Sequence, residues 1–221
     1  ASETGGQGRL RLGPDGSPGY LFTVFPDRKG RLWVGTRDNG ILVRENETFQ
    51  RLFPGNAIPA PVRAIFQDRS GTVSLRSGDG VYQWRDGGLD KFAPDTELAH
   101  ADVRGFAEDT SGALWIATHG NGLHRFLSGQ HLALHITNGL PNEYVRSLYA
   151  DNDGAVWVGM YGGGLLRWKD GSLKLAAPLK DLPDDVICHI EEDAAGQLWI
   201  GTHHGLFRVA KSDLNAFADG Q

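Results

Sequence analysis

The sequence predicts an all-β protein, a β-propeller of five four-stranded antiparallel blades, from three observations. First, one motif occurs five times, with its central positions spaced by 41, 41, 42 and 42 residues. Second, four short β-type runs fall within each period of about 40 residues, which is typical of propeller blades. Third, helical apolar spacing is nearly absent, while runs such as "VWVGM" and "LWIGT" are rich in β-branched and aromatic residues. The central positions are Trp33, Ser74, Trp115, Trp157 and Trp199.

Glycine and aspartate predict two hairpins in each repeat. A glycine stands three residues before each central position, and an aspartate stands three residues before that glycine. An Asp-x-x-Gly sequence predicts a tight turn whose carboxylate accepts from turn amides and whose glycine takes a positive φ. A second glycine, six or seven residues after the central position, predicts the next hairpin. The aspartates are Asp27, Asp68, Asp109, Asp151 and Asp193, and the second glycines are Gly40, Gly80, Gly122, Gly164 and Gly205.

A fourth, outer strand in each repeat is predicted from weaker apolar runs. These are "ETFQRLF" (47–53), "GLDKF" (88–92), "HLALHI" (131–136), "SLKLAA" (172–177) and "DLNAF" (213–217). The tryptophans are expected to fill the core between neighbouring blades. The repeat centred on Ser74 is therefore expected to be the loosest, because it lacks a buried indole, although Trp84 offers a replacement.

The repeats cover the chain as a single propeller domain, residues 1–221. We place the repeats at about 20–58, 59–99, 100–141, 142–182 and 183–221, with an additional N-terminal strand at 8–12. Two arrangements remain open at this point. The additional strand pairs with the last blade and closes a ring, or the chain is an excerpt from a longer array.

Composition excludes several classes of protein. The chain has 221 residues, of which 40% are hydrophobic, enough for a core. Its 22 basic and 27 acidic side chains give a charge of −5 without a basic block, so a nucleic-acid partner is not expected. The single cysteine, Cys188, excludes an intramolecular disulfide. No run reaches the roughly 18 apolar residues of a membrane span, so a membrane is reached only through parts outside this chain.

Three arginines at the start of first strands are candidate ligand-binding residues. Arg63, Arg104 and Arg146 each follow a valine, and the matching positions in the other repeats are assigned to Phe22 and Ile187. Innermost strands line the propeller channel, so an arc of guanidinium groups there would bind a carboxylate, a phosphate or sugar hydroxyls. The alternative is that nearby carboxylates, Asp102 and Glu143, neutralise the arginines without any ligand.

Hairpin tips on the same predicted face supply three further candidates, His119, Tyr161 and His203. Variable side chains on a constant scaffold suit recognition, although a solvated turn is the plainer interpretation of each residue alone. No metal site is predicted, because the histidines lack ligand spacing. No cofactor and no catalytic residue are predicted, because the sequence contains neither a nucleophile elbow nor a Gly-Lys-Ser/Thr phosphate loop.

The repeats "VRSLYADNDGAVWVGMYGGGL" and "VICHIEEDAAGQLWIGTHHGL" resemble the two-component regulator propeller repeat. The repeats around Trp33 and Trp115 resemble it well, and the one around Ser74 poorly. The resemblance covers about residues 20–210. It implies a sensory region, usually periplasmic, of a membrane-bound bacterial histidine kinase or diguanylate cyclase. Five repeats are fewer than such proteins usually have, which favours an excerpt.

Three functions are weighed on this basis. The first is a non-catalytic periplasmic sensor that binds an unknown small molecule or glycan, with an anionic ligand favoured by the arginines. The second is a protein-interaction or dimerisation scaffold, for which a homodimer is the simplest form. The third is an enzyme of the streptogramin-lyase kind, whose propeller uses a metal with histidine and glutamate on one face.

Overall fold

The computed structural model of the protein describes residues 20–45, 48–52, 58, 61–178, 182 and 184–221. These residues form two compact units. One contains the described residues up to Ile65 together with Leu75–Gly78, and the other contains Phe66–Ser74 together with Asp79–Gln221. Each unit is described by itself below. The predicted strand at 8–12 lies outside the described residues.

Five antiparallel sheets follow one another along the chain, which confirms the predicted fold class. Each of the first four sheets has four sequential strands that pair in chain order, and the last has three. The strands are β1 Leu21–Pro26, β2 Leu32–Thr36, β3 Ile41–Glu45, β4 Thr48–Arg51, β5 Ala64–Gln67, β6 Val73–Ser77, β7 Gly80–Arg85, β8 Gly88–Lys91, β9 Val103–Glu108, β10 Leu114–Thr118, β11 Leu123–Leu127, β12 Gln130–Leu134, β13 Val145–Ala150, β14 Val156–Met160, β15 Leu165–Lys169, β16 Ser172–Ala177, β17 Ile187–Glu192, β18 Gln197–Thr202 and β19 Leu206–Ala210.

The predicted fourth strand of the last sheet is wrong. Residues Lys211–Ala218 form an α-helix, α1, that contacts β16 and β19. Leu214 of this helix is 6% exposed and packs in the same core cluster as Trp157. Two one-turn 3₁₀ helices, Glu97–His100 and Ile136–Asn138, lie in the connections before β9 and β13.

The turns before the second strands have the predicted chemistry. The turn glycines Gly30, Gly112 and Gly154 have φ values of 78°, 83° and 83°. Asp109 Oδ1 accepts hydrogen bonds from the amides of Ser111 and Ala113 at 2.9 and 3.1 Å. The tight turn therefore forms because an aspartate satisfies amides that the ladder cannot reach.

Three of the four central tryptophans lie in the core, as predicted, and Trp199 is only partly buried. Trp33, Trp115 and Trp157 are fully buried. In the second unit, Trp115 lies in one cluster with Val145 and Val156 of the following sheet. In this unit, neighbouring sheets therefore pack face to face, and the loops at the ends of their strands are left outside the core.

Candidate functional site

In four repeats the pairing of the first strand with the second is described, and each of these first strands has a β-bulge near its start. The bulge lies at the position that holds an arginine in three of the repeats. The register between first and second strands skips one residue at Phe22, Arg104, Arg146 and Cys188. Ile187, assigned from sequence as the matching position in the last repeat, is instead paired with Thr202, so the matching residue is Cys188. A bulge changes the direction of one side chain at the end of a strand, and bulges are frequent beside functional sites.

In the first unit, Phe22 at the bulge of β1 contacts Arg63, the residue that the sequence places at the matching position of the next repeat. The guanidinium carbon of the exposed Arg63 lies 4.3 Å from the centroid of the Phe22 ring. This is cation–π distance, so the arginine is placed over an aromatic face.

In the second unit, the two predicted arginines differ in their partners. Arg104 forms an ion pair with Asp102, as the ligand-free alternative expected. Glu143, the other expected partner, binds His135 at 3.0 Å and not Arg146. Within residues 79–178 and the other described parts of this unit, no ion pair is formed by the half-buried Arg146.

Three aromatic side chains form one exposed group in the second unit, here called the aromatic surface: His119, Tyr144 and Tyr161. The ring centroids of His119 and Tyr144 are 4.7 Å apart. The Tyr161 ring lies 6.1 Å from His119 and nearly perpendicular to it. Both tyrosines are 44% exposed. The structure thus brings together two of the residues named from sequence, His119 and Tyr161, and adds Tyr144.

Backbone pairing between adjacent sheets places the aromatic surface. His119 forms an isolated β-bridge with Tyr144, and Tyr161 forms one with Val186. The Tyr161 amide donates to the Tyr144 carbonyl at 2.9 Å, and the His119 amide donates to the Asp102 carbonyl at the same distance. The hairpin after each second strand therefore lies beside the connection into the next first strand, which is the shared face that the sequence predicted.

Two hydrogen bonds of the Asn142 side chain stabilise the connection that contains Tyr144. Its side-chain amide donates to the Tyr161 carbonyl at 2.9 Å, and its carbonyl oxygen accepts from the Tyr144 amide at 2.8 Å. Sequence reasoning missed Tyr144. The signal was an aromatic residue directly before the Val-Arg pair, at a connection already placed on this face.

His203, the remaining predicted site residue, is exposed at the tip of the last hairpin and is not joined to the aromatic surface by any ring contact that the structure describes. Its neighbour His204 is the residue held in place. The amide and the Nδ1 atom of His204 both lie 2.8 Å from a carboxylate oxygen of the buried Asp184. Asp184 ties this hairpin to the connection before β17.

The described residues contain neither a cluster of metal-binding side chains nor a helix suited to span a membrane. No three histidine, cysteine, aspartate or glutamate side chains among them are placed to hold a metal ion. None of their helices has the length and apolar character needed to cross a membrane.

Five consecutive antiparallel sheets with bulged first strands define a propeller-type repeat protein. The family model of the two component regulator propeller matches residues 15–38, 139–162 and 181–204. The second and third of these matches contain Tyr144, Tyr161 and His203. No curated protein sequence matches the chain.

Solved structures share this fold. One is an extracellular domain assigned to a hybrid two component system of B. thetaiotaomicron, which is 25% identical with a TM-score of 0.71 over 86% of this chain and 27% of that one. Another extracellular domain from B. thetaiotaomicron is 22% identical, with a TM-score of 0.75 over 93% of this chain and 28% of that one. The chain thus spans little more than a quarter of these domains. Virginiamycin B lyase from Staphylococcus aureus is 15% identical, with a TM-score of 0.68 over 86% of this chain and 70% of the lyase.

Proposed function

We propose that this chain is a non-catalytic, extracytoplasmic sensory region of a membrane-bound bacterial signalling protein, and that the aromatic surface binds its ligand. The family repeat and the similarity to an extracellular domain of a hybrid two component system support the sensory role. If the whole protein crosses the inner membrane, as such systems do, this sensory region lies in the periplasm.

The observation that supports ligand binding is the aromatic surface itself. Exposed aromatic groups placed by rigid sheets are costly to leave in water, and they offer flat faces to a ring-shaped ligand. Tyrosine and histidine also supply polar atoms at the edge of that face. A saccharide ring, with one apolar face and peripheral hydroxyl groups, has the matching chemistry.

Arg146 would allow this site to bind an acidic ligand. It stands two residues after Tyr144, at a bulge, and no ion pair between described residues of this unit involves it. A guanidinium group binds a carboxylate through two parallel hydrogen bonds, so it would favour an acidic sugar over a neutral one. Arg104 is less available for this role because Asp102 already pairs with it.

Calorimetric titration with a panel of acidic and neutral oligosaccharides, for example trigalacturonate and its neutral counterpart, tests this function. We expect Tyr144→Ala to weaken binding roughly tenfold. We expect Arg146→Gln to weaken binding of the acidic member and to leave the neutral member unaffected. Tyr20→Ala, which removes a tyrosine that is 66% exposed in the first unit, is the matched control. Absence of binding by every oligosaccharide, or equal losses in the control, would contradict the proposal.

A protein-interaction scaffold is the second candidate. Leu206, on β19 of the three-stranded last sheet, is 64% exposed, and an open sheet edge with apolar side chains favours association. Light scattering distinguishes this candidate, since a homodimer would double the mass and Leu206→Lys would restore the monomer. The lyase alternative is supported by fold similarity alone.

A further inference from the structure

Five side chains form a line of polar contacts beside the aromatic surface, and the functions above do not use them. His131 Nε2 lies 3.0 Å from His124 Nδ1, and His124 Nδ1 lies 3.7 Å from Glu97 Oε1. His135 stands between two carboxylates, with Nε2 at 3.1 Å from Glu97 and Nδ1 at 3.0 Å from Glu143. These contacts join three parts of the second unit: the 3₁₀ helix Glu97–His100, the strands β11 and β12, and the connection before β13.

The protonation of His124 follows from its partners. Its Nε2 lies 2.9 Å from the Asn121 carbonyl oxygen, which only accepts, so Nε2 carries the hydrogen. Its Nδ1 then accepts a hydrogen bond from His131. Burial lowers the pKa of His124 to about 4, although Glu97 opposes this shift. His124 is therefore neutral near pH 7.

His135 has the opposite environment. Both of its ring nitrogens face carboxylate oxygens, and a carboxylate is only an acceptor, so both nitrogens donate when the ring carries its second proton. The hydrogen bond to Glu143 raises the pKa of His135, and Glu97 adds to this effect against a smaller effect of burial. The imidazolium is thus the form that satisfies both contacts.

Glu143 connects this histidine to the aromatic surface. Its second carboxylate oxygen accepts from the Ile136 amide at 2.9 Å. Its backbone carbonyl accepts from the Gly120 and Gly122 amides at 2.9 and 3.1 Å, in the hairpin that begins with His119. Tyr144 is the next residue along the chain.

Glycine is required at position 122 for this approach. A Cβ atom there would lie 2.2 Å from the Leu134 carbonyl oxygen, 2.8 Å from Glu143 Oε2 and 3.1 Å from His135 Nδ1. The backbone at Gly122 also has a φ of 73°. The close packing of the hairpin against Glu143 is therefore a specific feature of this sheet.

We propose that Glu97, His135 and Glu143 form a proton-dependent latch, in which the imidazolium holds the 139–144 connection and the 119–122 hairpin in the arrangement that builds the aromatic surface. Loss of the proton leaves one of the two ring nitrogens facing a carboxylate oxygen to which it cannot donate. His135 and Glu143 act as positioning residues. The consequence for ligand binding rests on the function proposed above, whereas the latch itself does not.

The direction of the pH effect follows from the raised pKa of His135. The unfolded chain binds this proton near the usual value of 6.5, and the folded chain keeps it to higher pH. The stabilisation is complete below pH 6.5 and is lost as the pH rises through the raised value. The other titratable groups that act on His135 are Glu97 from the 3₁₀ helix, Glu143 from the connection, and His124 and His131 from β11 and β12. His124 and His131 are neutral in this window, because burial lowers the pKa of each.

Hydrogen exchange of the unliganded protein tests the latch. After correction for intrinsic exchange, we expect the Gly120 and Gly122 amides to lose roughly tenfold protection between about pH 6 and about pH 9, as one charge-assisted hydrogen bond is lost. His135→Gln cannot titrate and should abolish this pH dependence. His189→Gln is the matched control, because His189 Nε2 lies 3.8 Å from Glu191 but its side chain is 75% exposed and bridges no segments.

Several results would overturn the latch. Protection of these amides that does not change with pH, or a pH dependence retained in His135→Gln, would do so. If that variant does not fold, the NMR titration of His135 in the unsubstituted protein decides instead, since a pKa at or below 6.5 contradicts the proposal. A working latch without oligosaccharide binding would contradict only the proposed function, and the reverse result would contradict only the latch.

Discussion

In four of the five repeats, one aspartate binds both its own turn and the indole of the following strand. Asp109 Oδ2 accepts from Trp115 Nε1 at 2.8 Å, while its other oxygen binds the turn amides. Burial alone would raise the pKa of Asp109, but the hydrogen bonds from Ser111, Trp115 and the turn amides hold it below the usual value. Because the aspartate stands six residues before the tryptophan, one carboxylate therefore binds both the hairpin turn and the indole in the core.

Replacement of Asp109 by alanine should reveal this double role. The change leaves two turn amides and a buried indole N–H without an acceptor, so we expect the free energy of unfolding to fall by about 3 kcal/mol. Asp68→Ala is the control, because Asp68 binds its turn at Thr72 but its repeat has Ser74 in place of the indole. Urea denaturation measures both, and equal losses would show that the indole contact contributes nothing.

The lowered pKa of His124 predicts that the free energy of unfolding falls at acid pH, which is separate from the effect of His135. The unfolded chain binds a proton at His124 near pH 6.5, but the folded chain does so only near pH 4. The free energy of unfolding should therefore fall by up to about 1.4 kcal/mol per pH unit as the pH is lowered across this window. Urea midpoints at several pH values should show a smaller slope for His124→Gln. An unchanged slope in that variant would contradict the assignment.

The last repeat differs from the others because a helix replaces its outer strand. Residues Lys211, Leu214 and Ala218 lie on one helical face, at spacings of three and four. Lys211 Nζ lies 2.6 Å from carboxylate oxygens of both Asp153 and Glu192, and Leu214 enters the core. These contacts with carboxylates of earlier repeats and with the core stabilise the helix.

Leu214→Ala should destabilise the protein by about 2–3 kcal/mol, because it opens a cavity in the core shared with Trp157. Phe217→Ala, on the same helix, removes a larger side chain that is 46% exposed and should cost much less. Thermal unfolding of the two variants makes the comparison. A larger loss for Phe217→Ala would show that the opposite face of α1 is the packed one.

The sheets of the second unit depend on their order along the chain. Trp115 contacts Trp168 of the next sheet, with ring centroids 5.2 Å apart, and Trp157 packs with Ile187 and Ile190 of the last sheet. Trp199, at the same position of that last sheet, is only partly buried. The indoles of Trp115 and Trp157 are therefore each covered by the sheet that follows their own.

This arrangement predicts unequal costs for the same substitution in two repeats. Trp157→Ala should lower the free energy of unfolding by about 4 kcal/mol, and Trp199→Ala by about half as much, because less of its indole is removed from water. Chemical denaturation provides both values. Equal costs would mean that another surface covers Trp199 in solution, and light scattering would then show the partner.

Repetition made most of this architecture predictable. The turn aspartates, the turn glycines and the central positions recur every 41 or 42 residues, so five weak local signals reinforce one another. The same reasoning named His119 and Tyr161, because it assigned their loops to one face.

Contacts between residues distant in the chain were not predictable in the same way. The bulge position at Cys188, the helix at Lys211–Ala218, the addition of Tyr144 and the pairing of Glu143 with His135 each depend on which segments meet. A repeat pattern reports what its copies share. The differences among copies acquire meaning only when folding brings their side chains within hydrogen-bonding and packing distance, because these interactions act over a few ångströms.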